Sequence, residues 1–175
     1  MKFFPCLIFV SSFILVGCVA PTKVVTIRTD LHPHPRGIFS PPLDGMKVLS
    51  RFGPRSGWYH TGIDLRGQGP DKDVVRASRS GKVIKTGWMR GYGNIVVIQH
   101  DDMFVTRYAH LKKIMVQVGQ LVQAGEKIGM VGKTGHAESP HLHFEIITPE
   151  GRYTDPYPLL FGTPPTNTKP HAAKK

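Results

Sequence analysis

Short runs of alternating apolar and polar residues, separated by turns rich in glycine, make up most of the chain after residue 43. In a strand, successive side chains point to opposite faces, so such runs predict short, half-buried strands. They lie at 48–52, 74–77, 82–85, 94–99, 103–108, 121–122, 127–131 and 142–147. No stretch outside the first 17 residues shows helical periodicity longer than a turn or two. The pattern therefore predicts an all-β barrel or sandwich.

The N-terminus has the pattern of a secretion signal. A basic Met1-Lys2 precedes about 14 apolar residues, a run too short to span a membrane comfortably. Its last four residues, Leu15-Val16-Gly17-Cys18, resemble a bacterial lipobox, which predicts a signal peptide over 1–17 and lipidation of Cys18. An ordinary signal peptide with a chance cysteine, or an uncleaved anchor, is the alternative. Since Val19 and not aspartate follows Cys18, a Gram-negative source would imply outer-membrane attachment facing the periplasm.

Composition divides the remaining chain into three parts. Residues 18–42 are rich in proline and read as a tether, and the His32-Pro33-His34-Pro35 run within it is interpreted as linker. Residues 43–160 form the folded domain, and 161–175 are a basic tail predicted to be disordered. No second domain or internal repeat is apparent.

Charge and cysteine content limit the chemistry. The formal net charge of +11 favours an anionic partner such as an acidic envelope polymer or lipid, or marks a generally basic extracytoplasmic protein. Nucleic acid is not expected, because no zinc finger, aromatic RNA-binding signature or basic helix is present. The chain has two cysteines: Cys6 lies in the signal and Cys18 takes the lipid. Any metal site in the domain must therefore use histidine, aspartate and glutamate.

The run Ser139-Pro140-His141-Leu142-His143-Phe144-Glu145 combines polar chemistry with a buried strand pattern. Strand alternation places His141, His143 and Glu145 on one face and the apolar residues on the other. By itself the run is also compatible with a solvated polar face or with a single hydrogen-bonded histidine.

Two further histidines have contexts that point to a metal site. His60 is followed four residues later by Asp64, and His110 ends a predicted strand. A catalytic zinc site needs three protein ligands and an open position for water. His60, Asp64 and either His141 or His143 would supply them. The two remaining histidines would then serve as general base and as hydrogen-bond donor to an oxyanion.

The same residues carry a resemblance to a known family over roughly residues 45–156. The motifs are Arg51-Phe52-Gly53, His60 with Asp64, residues 91–100 (GYGNIVVIQH), Tyr108-Ala109-His110-Leu111, Gly132 with Gly135, residues 139–145 (SPHLHFE) and Asp155-Pro156. In number and order they resemble the M23 zinc metallopeptidases, the LytM or lysostaphin-like peptidoglycan endopeptidases. The resemblance implies a compact antiparallel β-sheet or sandwich with few or no helices.

The resemblance also implies functional roles for five residues. Zn2+ would be held by His60, Asp64 and His143, with His110 and His141 as the catalytic histidines; which of these two is the base is left open. The implied activity is hydrolysis of the peptide cross-links of peptidoglycan in the cell envelope. Some members of the family that have lost ligands act as activators of cell-wall amidases. Such a regulatory role is the alternative function, but all five positions are retained here.

Three further positions have residue types that suit a functional site, but their sequence context also allows a purely structural role. Glu145 either orients a ligand histidine by hydrogen bonding or is a solvated carboxylate at a strand end. His100, beside Asp101 and Asp102, is interpreted as a surface residue at a strand end. The aromatic pair Trp58-Tyr59, just before His60, belongs either to a groove or to the core.

Overall fold

The structure is a computed structural model that describes residues 38–162. The predictions for the signal peptide, the lipidated Cys18, most of the tether and most of the basic tail lie outside those residues. Between 38 and 162 the chain forms twelve strands and one short helix. They are β1 (Lys47–Ser50), β2 (Gly53–Arg55), β3 (Trp58–His60), β4 (Ile63–Arg66), β5 (Val74–Arg76), β6 (Gly81–Met89), β7 (Gly93–Gln99), β8 (Val105–Ile114), β9 (Leu121–Val122), β10 (Lys127–Val131), β11 (Leu142–Ile147), β12 (Tyr153–Thr154) and α1 (Pro156–Phe161).

One antiparallel sheet organises the fold and confirms the predicted fold class. Its main path runs β1-β4-β11-β8-β7-β6-β9, with β12 against the far half of β11 and β10 bridging β8 and β5. A separate hairpin joins β2 to β3. Every ladder among these strands is antiparallel. Within residues 38–162, no helix is both long enough and apolar enough to cross a lipid bilayer.

The two faces of the central strand β11 are used differently. Leu142, Phe144 and Ile146 are fully buried in the main hydrophobic core, where the Tyr108 ring packs against Phe144. His143 and Glu145 therefore share the opposite face, as strand alternation predicts. Burying the apolar side of the strand fixes its register, since a shift of one residue would exchange the two faces.

The folded region begins before residue 43, the position at which the sequence analysis placed the end of the proline-rich tether. Phe39 is 1% exposed and belongs to the main core. Its backbone N–H donates to the Leu159 carbonyl near the C-terminal end, and the N–H of Ser40 donates to the Ser78 carbonyl. The predicted boundary at residue 43 was wrong. Phe39 is a single apolar residue in a proline-rich stretch, so no periodic pattern marks it as part of the core.

His100 is buried, so its interpretation as a surface residue was wrong. It is 2% exposed and packs edge-on against Phe39. Its Nδ1 lies 2.9 Å from the Ser80 carbonyl oxygen, and its Nε2 lies 3.0 Å from Thr106 Oγ1. Because a carbonyl only accepts, Nδ1 carries a proton and donates it to the Ser80 carbonyl.

This environment predicts a loss of stability in mild acid. Burial lowers the pKa of His100, whereas an unfolded histidine has a pKa of about 6.5. As the pH falls below about 6.5 the unfolded chain binds the proton first, so the free energy of unfolding decreases. We expect the difference in this free energy between the native protein and His100→Gln, measured by urea denaturation, to shrink between about pH 7.5 and pH 5. Parallel pH profiles for the two proteins would contradict this assignment.

Candidate metal centre and its groove

Three strands bring His60, Asp64 and His143 together. His60 ends β3, Asp64 lies in β4, and His143 in β11 is the direct cross-strand partner of Asp64. The turn between β3 and β4 contains Gly62, whose position allows only glycine, because a Cβ there would collide with the Phe144 carbonyl oxygen. This close approach places the His60 ring beside the face of β11 that carries His143.

The ligand atoms of these three residues form a compact triangle. His60 Nε2 lies 3.2 Å from Asp64 Oδ1 and 3.2 Å from His143 Nδ1, and His143 Nδ1 lies 3.0 Å from Asp64 Oδ1. Donors around a tetrahedral ion with bonds of about 2.0–2.1 Å stand about 3.3 Å apart. Two imidazole nitrogens and one carboxylate oxygen at this spacing constitute a site that could hold a metal ion.

Hydrogen bonds to the outer nitrogens leave the inner nitrogens free to bind. His60 Nδ1 lies 2.7 Å from the Arg51 carbonyl oxygen and must donate to it, which leaves the lone pair on Nε2. In His143 the pattern is reversed: Nε2 lies 3.1 Å from Glu145 Oε1, and Nδ1 faces the other two ligands. Each ring is thus oriented with its inner nitrogen toward the other two ligand residues, and binding of a metal would displace any proton from that nitrogen.

Glu145 is an enclosed acceptor for several donors, and its interpretation as a solvated carboxylate was wrong. It is 0% exposed. Besides His143, its Oε1 accepts the hydroxyls of Thr61 and, at 3.0 Å, Tyr92, while its Oε2 accepts Arg107 Nη1 at 3.2 Å. Burial opposes ionisation, but hydrogen bonding to His143 and to the hydroxyls lowers the pKa of Glu145. Glu145 therefore carries a negative charge that faces the outer nitrogen of His143.

The electrostatics of the cluster favour a positive charge at its centre. Partial burial opposes ionisation of Asp64, yet hydrogen bonds from His143 and His60 hold its pKa well below the usual range. Burial also opposes protonation of His143, but Asp64 and Glu145 together raise its pKa to about 9. A pair of carboxylates on either side of His143 has the charge distribution expected of a cation site.

His110 and His141 lie at the edge of this cluster. The centroids of their rings are 4.8 Å apart, and the His110 and His143 centroids are 5.8 Å apart. His110 donates from Nδ1 to the Thr134 carbonyl at 2.7 Å, and His141 donates from Nδ1 to the Ser139 carbonyl at 2.8 Å. Both therefore keep Nε2 for other contacts, and His141 Nε2 lies 3.5 Å from Asp64 Oδ1.

A break in β8 turns His110 toward the site. The residues up to Ala109 pair with β11, whereas those from Leu111 pair with β10. His110 lies between the two segments with a left-handed φ of 61°, a conformation that few non-glycine residues adopt outside turns and functional sites. Burial lowers its pKa to about 4, so the ring is neutral at pH 7.

The cluster lies in a groove with a volume of about 670 Å3, here called the central groove. Leu49 and Trp58 line it, as do Tyr92, His136 and Glu138. Trp58 is 60% exposed and meets the His60 ring edge-on, so it belongs to the groove and not to the core. The neighbouring Tyr59 is also exposed, 52%, and packs against Phe52.

The structure thus brings all five predicted histidine and aspartate positions to one groove, and Glu145 lies buried behind His143. Sequence reasoning missed the roles of Thr61, Tyr92 and Arg107 as donors to that carboxylate. Arg107 is the direct cross-strand partner of Glu145, but this pairing requires the strand register, which the residue pattern does not supply.

Comparisons with known proteins identify related sequences and a related structure. The sequence profile of peptidase family M23 matches residues 58–156, more than half of the chain. Over 106 residues the chain is 41% identical to the murein hydrolase activator NlpD of Salmonella dublin, covering 60% of the chain and 27% of the relative. It is 39% identical, also over 106 residues, to the peptidoglycan DD-endopeptidase ShyB of Vibrio cholerae, covering 58% and 25%. The match thus spans about a quarter of each relative's length.

A solved structure of a zinc-containing peptidase from Vibrio cholerae has a similar fold. It superposes with a TM-score of 0.60 at 34% sequence identity, covering 70% of this chain and 40% of that one. The shared fold and the donor set described above are independent observations, and both point to a metallopeptidase scaffold.

Proposed function

The chain belongs to peptidase family M23, and from its site we propose that it is a zinc-dependent endopeptidase that hydrolyses the peptide cross-links of bacterial peptidoglycan. One observation carries the proposal: three metal-ligand atoms and two further histidines converge on a single open groove. The similarity to a peptidoglycan DD-endopeptidase supports the choice of substrate.

The donor set fits zinc. His60, His143 and Asp64 offer two neutral nitrogens and one carboxylate, a combination typical of catalytic zinc sites. When bound, zinc would polarise the scissile carbonyl and lower the pKa of a water molecule that serves as nucleophile. Calcium and magnesium are poorer candidates, because they prefer all-oxygen ligand sets.

His110 and His141 would manage the protons of the reaction. A neutral imidazole can take a proton at Nε2, and the resulting imidazolium can donate to an oxyanion or to the leaving amine. The neutral state of His110 at pH 7 and its backbone-anchored Nδ1 suit it to either task. His141 has the same anchoring and lies nearer to Asp64. We assign the pair jointly as one base and one hydrogen-bond donor.

The alternative function is activation of another cell-wall hydrolase without catalysis, as the name of the similar NlpD suggests for that protein. A protein that only binds a partner has no chemical need for a complete donor triangle backed by Glu145. We therefore place the enzyme first and keep a regulatory partner as an outcome that the digestion experiment below can reveal.

We further propose that the protein acts in the cell envelope and is attached to the membrane through a lipid on Cys18. The lipobox-like Leu15-Val16-Gly17-Cys18 supports this proposal. Attachment of this kind would hold the groove close to the wall, and the net charge of +11 would add attraction to anionic polymers there.

Digestion of purified peptidoglycan tests the proposed function. We expect the zinc-loaded protein to convert cross-linked muropeptides into monomers, detected by mass spectrometry, and His143→Ala to release none. If folded, zinc-loaded protein released no cleavage products, the proposed enzymatic activity would be contradicted. If the same preparation stimulated an added cell-wall amidase, the regulatory function would replace it.

A further inference from the structure

A second groove lies on the same face of the sheet as the metal site, at the far end of β11. This distal groove has a volume of about 480 Å3, and its floor includes Val97, Val105 and Ile147. These side chains belong to the sheet face opposite the main core, where an uncovered antiparallel sheet normally carries polar residues. Two further lining side chains, Ile84 and Tyr153, are 42% and 39% exposed, and exposed apolar side chains around an apolar floor indicate a surface that binds a ligand.

A row of side-chain contacts lies between the distal groove and the central groove. On β11, His143 belongs to the metal site and Ile147 to the distal groove, with Glu145 between them on the same face. The Arg107 guanidinium bonds Glu145 and lies 5.9 Å from the ring centre of Tyr92 and 5.6 Å from that of Tyr153. Tyr92 lines the central groove, and Tyr153 lines the distal one.

Distance along the strand sets the length of a ligand that would occupy both grooves. His143 and Ile147 are four residues apart in one strand. At about 3.3 Å per residue, this separation is about 13 Å. An extended peptide whose scissile bond lies at His143 would therefore reach the distal groove with about its fourth residue.

Charge indicates which chemical group the distal groove would accept. Lys85 and Arg107 are its charged lining residues, and the lining contains no carboxylate. Nη1 of Arg107 is shared by Glu145 and the Tyr153 hydroxyl, whereas its Nη2 has no acceptor among the hydrogen bonds of residues 38–162. A cationic rim beside an apolar floor is complementary to a peptide that carries a free carboxylate next to an apolar side chain.

We propose that the distal groove is a substrate subsite that binds a carboxylate-bearing peptide arm about four residues from the cleaved bond. This inference rests on the proposed function, because it takes the ligand to be the peptide that the metal site cleaves. The groove would favour long, acidic peptide arms over short or amidated ones.

Charge reversal at the groove, compared with charge reversal beside it, tests the proposal. Lys85→Glu places a carboxylate in the distal groove. Lys82→Glu makes the same change on the same strand at an exposed site outside the groove. The substrates are two synthetic cross-linked peptides with a four-residue arm, one ending in a carboxylate and one in a carboxamide. Both lysines are exposed, so neither variant should unfold.

For the carboxylate peptide we expect Lys85→Glu to lower kcat/KM about fivefold or more relative to Lys82→Glu, mainly through KM. The difference should shrink in high salt and disappear for the carboxamide peptide. Ile84→Asp, a change at an exposed apolar side chain of the groove, should give the same selective loss. Equal effects of Lys85→Glu and Lys82→Glu on both peptides would overturn the proposal.

Calorimetric binding of the same peptides separates failure of this inference from failure of the proposed function. It uses zinc-loaded His141→Ala, in which the ligand triangle is intact, alone and combined with each lysine variant. If neither the native protein nor any variant cleaves but binding of the carboxylate peptide still depends on Lys85, the proposed subsite is supported and the proposed enzymatic function is contradicted. If cleavage occurs but binding of the carboxylate peptide does not depend on Lys85, the proposed function is supported and the proposed subsite is contradicted.

Discussion

Replacing Asp64 with alanine should remove most of the bound zinc and reduce cross-link hydrolysis about a thousandfold or more. Asp64 is the only carboxylate in the ligand triangle, and its oxygen lies 3.0–3.2 Å from both ligand nitrogens. Without it only two neutral imidazoles remain to bind zinc. Zinc contributes several kcal/mol to stabilising the transition state, and each 1.4 kcal/mol that is lost lowers the rate about tenfold. Zinc content by atomic absorption and muropeptide release by chromatography measure the two effects.

His141→Ala is the matched control for this prediction. His141 approaches Asp64 at 3.5 Å but lies outside the ligand triangle. We expect this variant to retain zinc and to lose turnover about a hundredfold or more, as for removal of a general acid or base. Full zinc occupancy in Asp64→Ala would show that the ligand assignment is wrong, and zinc loss in His141→Ala would show that His141 is itself a ligand.

Replacing Glu145 with alanine should weaken zinc binding about 10–100-fold and also destabilise the fold. The metal effect follows because His143 would lose the acceptor that keeps its proton on Nε2 and its lone pair on Nδ1. The stability effect follows because Arg107, whose side chain is 22% exposed, would lose its carboxylate partner. Because Arg107 is partly exposed and keeps its hydrogen bond to Tyr153, the cost should lie below the roughly 3–5 kcal/mol of a fully buried charge pair. Chelator competition and thermal denaturation monitored by circular dichroism check the two parts.

Glu145→Gln separates the two contributions. The glutamine oxygen can still accept the His143 Nε2–H, but it carries no charge for Arg107. We expect zinc affinity close to the native value, together with a lower Tm. If Glu145→Ala left both the zinc affinity and the Tm unchanged, Glu145 would have no role in positioning His143.

The arrangement around Glu145 also explains why the metal site can remain rigid while its groove stays open. Asp64 and His143 lie on strands whose other faces are packed in the main core, and the outer nitrogens of His60 and His143 are held by Arg51 and Glu145. Sites built on packed strands hold their geometry better than sites on loops. Substrate can therefore enter from the exposed side without disturbing the ligands.

Local sequence patterns by themselves determined the fold class and the residues of the site. The two-residue period of apolar positions predicted an antiparallel all-β fold, and strand alternation placed His143 and Glu145 on one face because this geometry is a property of the backbone. The spacing of His60 and Asp64 marked them as candidate ligands, and the resemblance to the M23 family predicted His143 and not His141 as the third.

Only the tertiary structure decided what depends on contacts between distant segments. It showed that Glu145 is buried with Arg107 opposite it, that His100 is buried, and that Phe39 belongs to the core. It also showed a second groove, the distal groove, beside the far end of β11. Burial and cross-strand partners are set by strand register and by packing across the sheet, and a residue's neighbours in the chain carry no record of either.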